Sequence, residues 1–160
     1  MKKIIIFGNS SSGKSTMAKN MARTSNIEHL DLDTIAWENT TPPVRMTLGK
    51  SLTVIETFIN SHSNWVIEGC YADLLELILP HANEMIFLDL PVQSCVENAQ
   101  NRPWEPHKYR TKQEQDANLE MLIDWIKAYQ QRDDVFSQQA HQRLYEKFSG
   151  AKVRYTGRPG

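Results

Sequence analysis

The chain has 160 residues, 40% hydrophobic and 23% charged, the size and composition of one globular domain rather than of a disordered or fibrous protein. Its 18 lysines and arginines nearly balance 19 aspartates and glutamates, so no whole-molecule field draws it to DNA or to an anionic membrane surface. Its two cysteines, Cys70 and Cys95, stand in no metal-ligand or redox spacing, and no apolar run reaches the length of a signal-peptide core or membrane span, which predicts a cytoplasmic protein without a membrane partner.

Lys3–Phe7 is a short β-branched run stopped by Gly8, the pattern of a strand buried on both faces. From Ser15 onward Met17, Ala18, Met21 and Ala22 recur at helical spacing, so a helix follows the glycine turn. A second strand is predicted over His29–Asp33. After the Thr40–Pro43 break, Leu48, Leu52, Ile55 and Ile59 make one helix face. Asn64–Glu68 and Glu84–Asp89 read as strands three and four, with a short helix over Asp73–Leu79 between them. Pro91 suits a first helical position, and that helix is expected to end near Arg102, before Pro103. Pro103–Gln113 is polar, cationic and aperiodic, and is read as a mobile segment. Two amphipathic helices follow, one through Leu122, Ile126 and Tyr129 and one through Phe136, Ala140, Leu144 and Phe148, before a fifth strand over Lys152–Thr156. There is no internal repeat, low-complexity tract or linker. Alternating strands and helices predict an α/β fold, a parallel sheet covered on both sides with its ligand site beyond the carboxyl ends of the strands.

The decisive motif is Gly8-Asn9-Ser10-Ser11-Ser12-Gly13-Lys14-Ser15, a full G-x-x-x-x-G-K-[ST] P-loop lying between the predicted strand and helix. Gly8 and Gly13 allow backbone conformations that turn the amides of Ser10, Ser11 and Ser12 inward, and the helix N-terminus adds partial positive charge. Lys14 would reach the β and γ phosphates, the Ser15 hydroxyl would ligate Mg²⁺ and Thr16 would meet the α phosphate. The dinucleotide fingerprint is absent, since position 10 is Ser10.

Carboxylates at strand ends decide the reaction. Asp31 and Asp33 close the second strand, and Asp33 is favoured to orient or deprotonate an acceptor hydroxyl. Glu68, before Gly69, is placed to hold the metal's water shell. Asp89 precedes Pro91 and is assigned to capping. Arg102, Arg110 and Arg132 are the candidate cations for spreading charge in a transition state, and a closing arginine-rich segment would exclude water. Trp37 and Tyr71, each just past a strand end, are candidate acceptor-pocket walls. His107 is read as simply exposed.

These residues resemble a known family. Gly8–Thr16, Leu32–Trp37, Trp65–Tyr71 and Ile86–Pro91 are similar to segments of the bacterial adenylate kinase-related proteins, labelled DNA topology modulation protein. The likeness is strongest up to Pro91 and weaker through Trp125, Tyr129 and Arg132. More distantly the chain resembles adenylate, shikimate and gluconate kinases. The resemblance implies the three-layer P-loop fold with a five-stranded parallel sheet of order 2-3-1-4-5, and a helical lid over roughly Asn98 to Asn118. It also implies ATP, in preference to GTP, with Mg²⁺ as phosphoryl donor. Glu68 and Cys70 stand where relatives usually have Asp and Asn, and Asn98 where an arginine often opens the lid, changes that bear on turnover more than on nucleotide binding. The chain stops soon after the fifth strand, where relatives commonly continue into a helix, so Thr156–Pro159 is expected to supply what remains of an adenine-contacting loop.

The expected activity is phosphoryl transfer from ATP to a small-molecule acceptor, a nucleotide or small hydroxyl compound, by a monomer or homodimer. Few arginines precede the lid apart from Arg23 and Arg45, which weighs against standard adenylate kinase activity. The alternative is an ATP-dependent switch without a dedicated acceptor, linked to DNA. Near-zero net charge and the lack of a basic recognition helix argue against direct nucleic-acid binding.

Overall fold

The structure is a computed structural model and describes residues 1–159. Its elements in chain order are β1 (Lys3–Gly8), α1 (Lys14–Ser25), β2 (Glu28–Asp31), α2 (Leu48–Ser61), β3 (Trp65–Gly69), α3 (Ala72–Ile78), β4 (Glu84–Leu88), α4 (Val92–Gln100), α5 (Lys112–Ala117), α6 (Leu119–Lys127), α7 (Gln138–Lys147) and β5 (Ala151–Tyr155). The strands form one sheet of order β2-β3-β1-β4-β5, every pair parallel. This is the three-layer α/β arrangement expected of a P-loop protein.

The period-2 alternation of β1 explains why it sits at the centre. Ile5 and Phe7 point to one face and join Trp65, Ile67, Met85 and Phe87 in a core closed by α2, α3 and α7. Ile4 and Ile6 point to the other and join Val66, Ile86 and Ala18 of α1. With both faces apolar and covered, β1 can only be an interior strand. A third cluster, around Leu90, Cys95, Val96, Ala99 and Ile126, binds α4 to α6 beside the sheet. Among the described residues no helix is long and apolar enough to cross a membrane.

Several boundaries differ from those expected. β2 ends at Asp31, two residues early, because the Asp31 carboxylate accepts from the Asp33 amide at 2.9 Å and turns Leu32–Thr34 into a 3-10 helix. Asp33 therefore stands beyond the strand rather than closing it. Asp89 caps nothing: it lies past β4 and accepts from Arg154 and Gln138. The aperiodic stretch ends sooner than Gln113, since Thr111 caps α5 by accepting from the Glu114 amide at 3.1 Å. The helix expected through Leu122 and Tyr129 stops at Lys127, so Tyr129 is in the turn that follows. Phe136 and Phe148 flank α7 rather than belonging to it.

Candidate active site

β1 delivers Gly8 to the carboxyl edge of the sheet, where the chain runs hard against β4: a Cβ at Gly8 would lie 2.4 Å from the Leu88 carbonyl oxygen. The loop then passes through Ser11, at φ 61°, and Gly13, at φ 95°, which opens α1. The first intrahelical bond is Met17 N–H to Gly13 O, at 3.0 Å. The amides of Lys14, Ser15 and Thr16 thus precede the helical ladder and carry its positive end. Side chains fix the loop from outside. The Asn9 carboxamide accepts from Ser10 N and donates to Ile126 O, Asn98 donates to Ser11 O at 2.8 Å, and Arg102 Nη2 donates to Ser11 Oγ at 2.6 Å. Lys14 Nζ donates to Asn9 O at 2.6 Å, arching over the loop. Ser12 Oγ is buried without a protein partner.

Ser15 Oγ donates to Glu68 Oε1 at 2.9 Å, and His29 Nε2 lies 3.3 Å from the same oxygen. Glu68 is 1% exposed. Asp31 is its register partner on β2; burial first, then the charges of Glu68 and Asp33, push its carboxyl up to about 6. A hydroxyl beside hard carboxylate oxygens is a donor set that suits Mg²⁺. Among the described residues no three carboxylate, imidazole or thiol groups gather into a cage, so such an ion would take its remaining ligands from phosphates and water.

On the far side of the loop the Trp37 indole N–H donates to Tyr71 Oη at 2.9 Å, and Tyr71 donates to Asp33 Oδ1 at 2.5 Å. Lys108 Nζ lies 3.3 Å from Asp33 Oδ2 and 3.7 Å from Glu105. Burial alone would raise the Asp33 carboxyl, but the Lys108 ammonium, the Tyr71 hydroxyl and Lys14 outweigh it and hold it below the usual range. Lys108 is raised in turn: burial works against its charge, and Asp33 and Glu105 prevail. Tyr71 is driven up by burial and by Asp33, so it stays a donor. Burial pushes the Cys70 thiol up to about 12, leaving it unreactive.

Two cavities meet at the P-loop, both walled by Ser11, Gly13, Thr16, Arg102 and Pro103. One, of about 630 Å³, is lined on its apolar side by Met17, Met21, Leu88 and Leu90 and closed by Arg158 and Pro159. The other, of about 660 Å³, holds Lys14, Ser15, Asp33, Trp37, Glu68 and Lys108. The structure thus gathers Ser10, Ser11, Ser12, Gly13, Lys14, Ser15, Thr16, Asp33, Trp37, Glu68 and Arg102 around one cleft, with Tyr71 directly behind Asp33 and Gly8 beneath the loop.

It does not bring in Arg110 or Arg132. Arg110 is exposed and pairs with Glu114 at 3.7 Å. Arg132 has its guanidinium carbon 3.6 Å from the Trp125 ring centroid, donates to Trp125 O and pairs with Asp134, so an aromatic face and a carboxylate hold its charge outside the lining of both cavities. His107 is more than exposed: it borders the second cavity, 3.7 Å from Glu105. Sequence reasoning missed Lys108 as the partner of Asp33 and Trp104 as a wall of the cleft. The one signal for them was their place in the cationic stretch after Pro103.

No protein-family model matches the chain, and neither does any curated protein. Among solved structures it is similar to a sugar kinase from a Janibacter species, at 10% identity and a TM-score of 0.51, over 98% of this chain and 85% of that one. It is also similar to a shikimate kinase from Bacteroides thetaiotaomicron, at 18% identity and a TM-score of 0.46, over 91% and 97%. The first of these likenesses extends through the whole sheet and its helices, and what the two chains share is the fold.

Proposed function

We propose that the protein is an ATP-dependent phosphotransferase that moves the γ-phosphoryl group to a small hydroxyl-bearing acceptor. The observation that carries this reading is the meeting of two cavities at one P-loop, one apolar enough for a purine and the other holding a carboxylate, because transfer needs donor and acceptor on opposite sides of the phosphate. The P-loop amides, Lys14 and the orphaned Ser12 hydroxyl suit a polyphosphate. Ser15 and Glu68 would hold Mg²⁺, which neutralises phosphate charge when bound. Arg102, already at the loop, would spread developing charge, and Asp33 would orient the acceptor hydroxyl and take its proton. ATP ahead of GTP, a place in the cytoplasm and kinship with the adenylate kinase-related proteins belong to the same proposal. The sugar kinase that shares the fold is in keeping with it.

The test is ADP production from Mg-ATP across a panel of nucleotides and small alcohols, beside Lys14→Ala. At least one compound should raise turnover well above background hydrolysis, and the substitution should remove that gain by about a hundredfold or more. A panel in which no compound exceeds background would overturn the transfer reading in favour of a nucleotide-driven switch.

A further inference from the structure

The acceptor cavity carries marks of what it accepts. Four cations border it: Lys14, Lys19, Arg102 and Lys108. Lys14 and Arg102 are tied to the P-loop, at 2.6 Å from Asn9 O and Ser11 Oγ, and Lys19 follows Ser15 by one helical turn on the same face. These three serve the phosphate end. Lys108 is held between Asp33 and Glu105. Among the described residues Arg102 is the single guanidinium on that wall. Arg45, the nearest behind Trp37, pairs with Asp73 at 3.2 Å and is stacked 4.9 Å from the Tyr71 ring centroid. An acceptor bearing a phosphate or carboxylate would thus find no free fork-shaped donor there, and would lie against Asp33 and Glu105 instead.

Two indoles are offered in place of charge. Trp37 and Trp104 are 40% and 42% exposed on the cavity wall. Both ring N–H groups are already spent, on Tyr71 Oη at 2.9 Å and on Tyr109 O at 3.0 Å, so the rings are fixed and present only apolar faces to a ligand. Asp33 has Oδ1 committed to Tyr71, while Oδ2, which accepts from Lys108, has a second lone pair for a ligand hydroxyl.

Resting on the transferase reading above, we propose that the acceptor is an uncharged ring compound bearing neighbouring hydroxyls, either a free sugar or the ribose of a nucleoside. It lies with one ring face on an indole and one hydroxyl on Asp33 Oδ2. That hydroxyl oxygen bonds to Pγ as the bond from Pγ to the bridging β,γ oxygen breaks. Its proton passes to Asp33, and ADP leaves with the electron pair of the broken bond.

The test pairs neutral and anionic compounds of one ring skeleton, uridine with UMP and glucose with glucuronate and glucose 6-phosphate. Binding to the intact chain is measured by calorimetry under saturating magnesium and a non-hydrolysable ATP analogue, and transfer is measured separately with ATP. At least one neutral member should bind about tenfold tighter than its anionic counterpart, and the sugar and nucleoside arms tell which source is used. Trp104→Leu should weaken that binding about tenfold with nucleotide affinity unchanged, which shows the fold intact. Tighter binding of the anionic members, or binding by none of the compounds, overturns the acceptor assignment. Neutral binding without any transfer would instead sink the transferase reading and leave the neutral-ring site standing.

Discussion

In the proposed transfer Asp33 is the group that takes the acceptor's proton, and its surroundings set its working range. Lys108, Tyr71 and Lys14 together overcome burial and keep it ionised below the usual carboxylate value, so the acid limb of transfer should lie lower than for an isolated aspartate. Removing one of those cations must let the carboxyl rise. The pH–rate profile of Lys108→Met should therefore show its acid limb at higher pH than the parent, whereas an unmoved limb would dissociate Asp33 from the proton transfer. A second residue-scale expectation concerns Gly8. A methyl group there would meet the Leu88 carbonyl at 2.4 Å, and neither strand can yield without breaking the β1–β4 ladder. Gly8→Ala should lose roughly 1–3 kcal/mol of stability in a urea titration, along with nucleotide binding. The P-loop was legible in the sequence because its function is written in contiguous residues and backbone conformation. The Asp33–Lys108 pair was not, since its members stand 75 residues apart and only the fold brings them face to face.

At the scale of elements, the alternation of apolar runs with helical spacing made the five strands and most helices readable, because each interior strand must be apolar on both faces. What the pattern missed were stops decided by single side-chain bonds: Asp31 turning the chain at the end of β2, and Thr111 starting α5. The edge strand β5 illustrates a different dependence. It is the most exposed of the five, with Ala151, Lys152, Val153 and Arg154 all open to solvent, so apolar burial holds it only weakly. Arg154 compensates by donating to Asp89 through Nε at 3.0 Å and Nη2 at 2.5 Å, while Gln138 of α7 donates to the other carboxylate oxygen at 2.9 Å. Arg154→Leu would strand the almost fully buried Asp89 carboxylate. With the guanidinium partly open to water, the loss should be about 2 kcal/mol by chemical denaturation, with early hydrogen exchange in β5 as its local signature.

Across the whole molecule, α7 is pinned to the carboxyl edge of the sheet by one buried imidazole. His141 of α7 is fully buried and packs edge-on against the stacked rings of Phe7 and Phe87. Its Nε2 lies 2.8 Å from Cys70 O, just past β3, and its Nδ1 lies 2.7 Å from Tyr129 Oη. With Nε2 donating to the carbonyl and Nδ1 accepting from the phenol, the ring is fully engaged only when neutral. Burial lowers its ionisation to about 4 from an ordinary 6.5. The unfolded chain therefore binds a proton more readily than the folded one between these values, so stability is undiminished above pH 6.5 and declines as pH falls toward 4. The full loss is on the order of 3 kcal/mol, and His141→Gln should flatten this part of the stability–pH curve measured by thermal or urea unfolding. The four tryptophans are equally divided by the architecture. Trp65 is sealed in the core and Trp125 lies under Arg132, whereas Trp37 and Trp104 border the cavity that holds Asp33. Because the Trp37 indole is bonded through a single phenol to Asp33, any molecule that settles on that carboxylate must alter the polarity around an intrinsic fluorophore. The unlabelled protein should thus announce its own occupancy as a change in emission, and Trp37→Phe should silence a defined share of it.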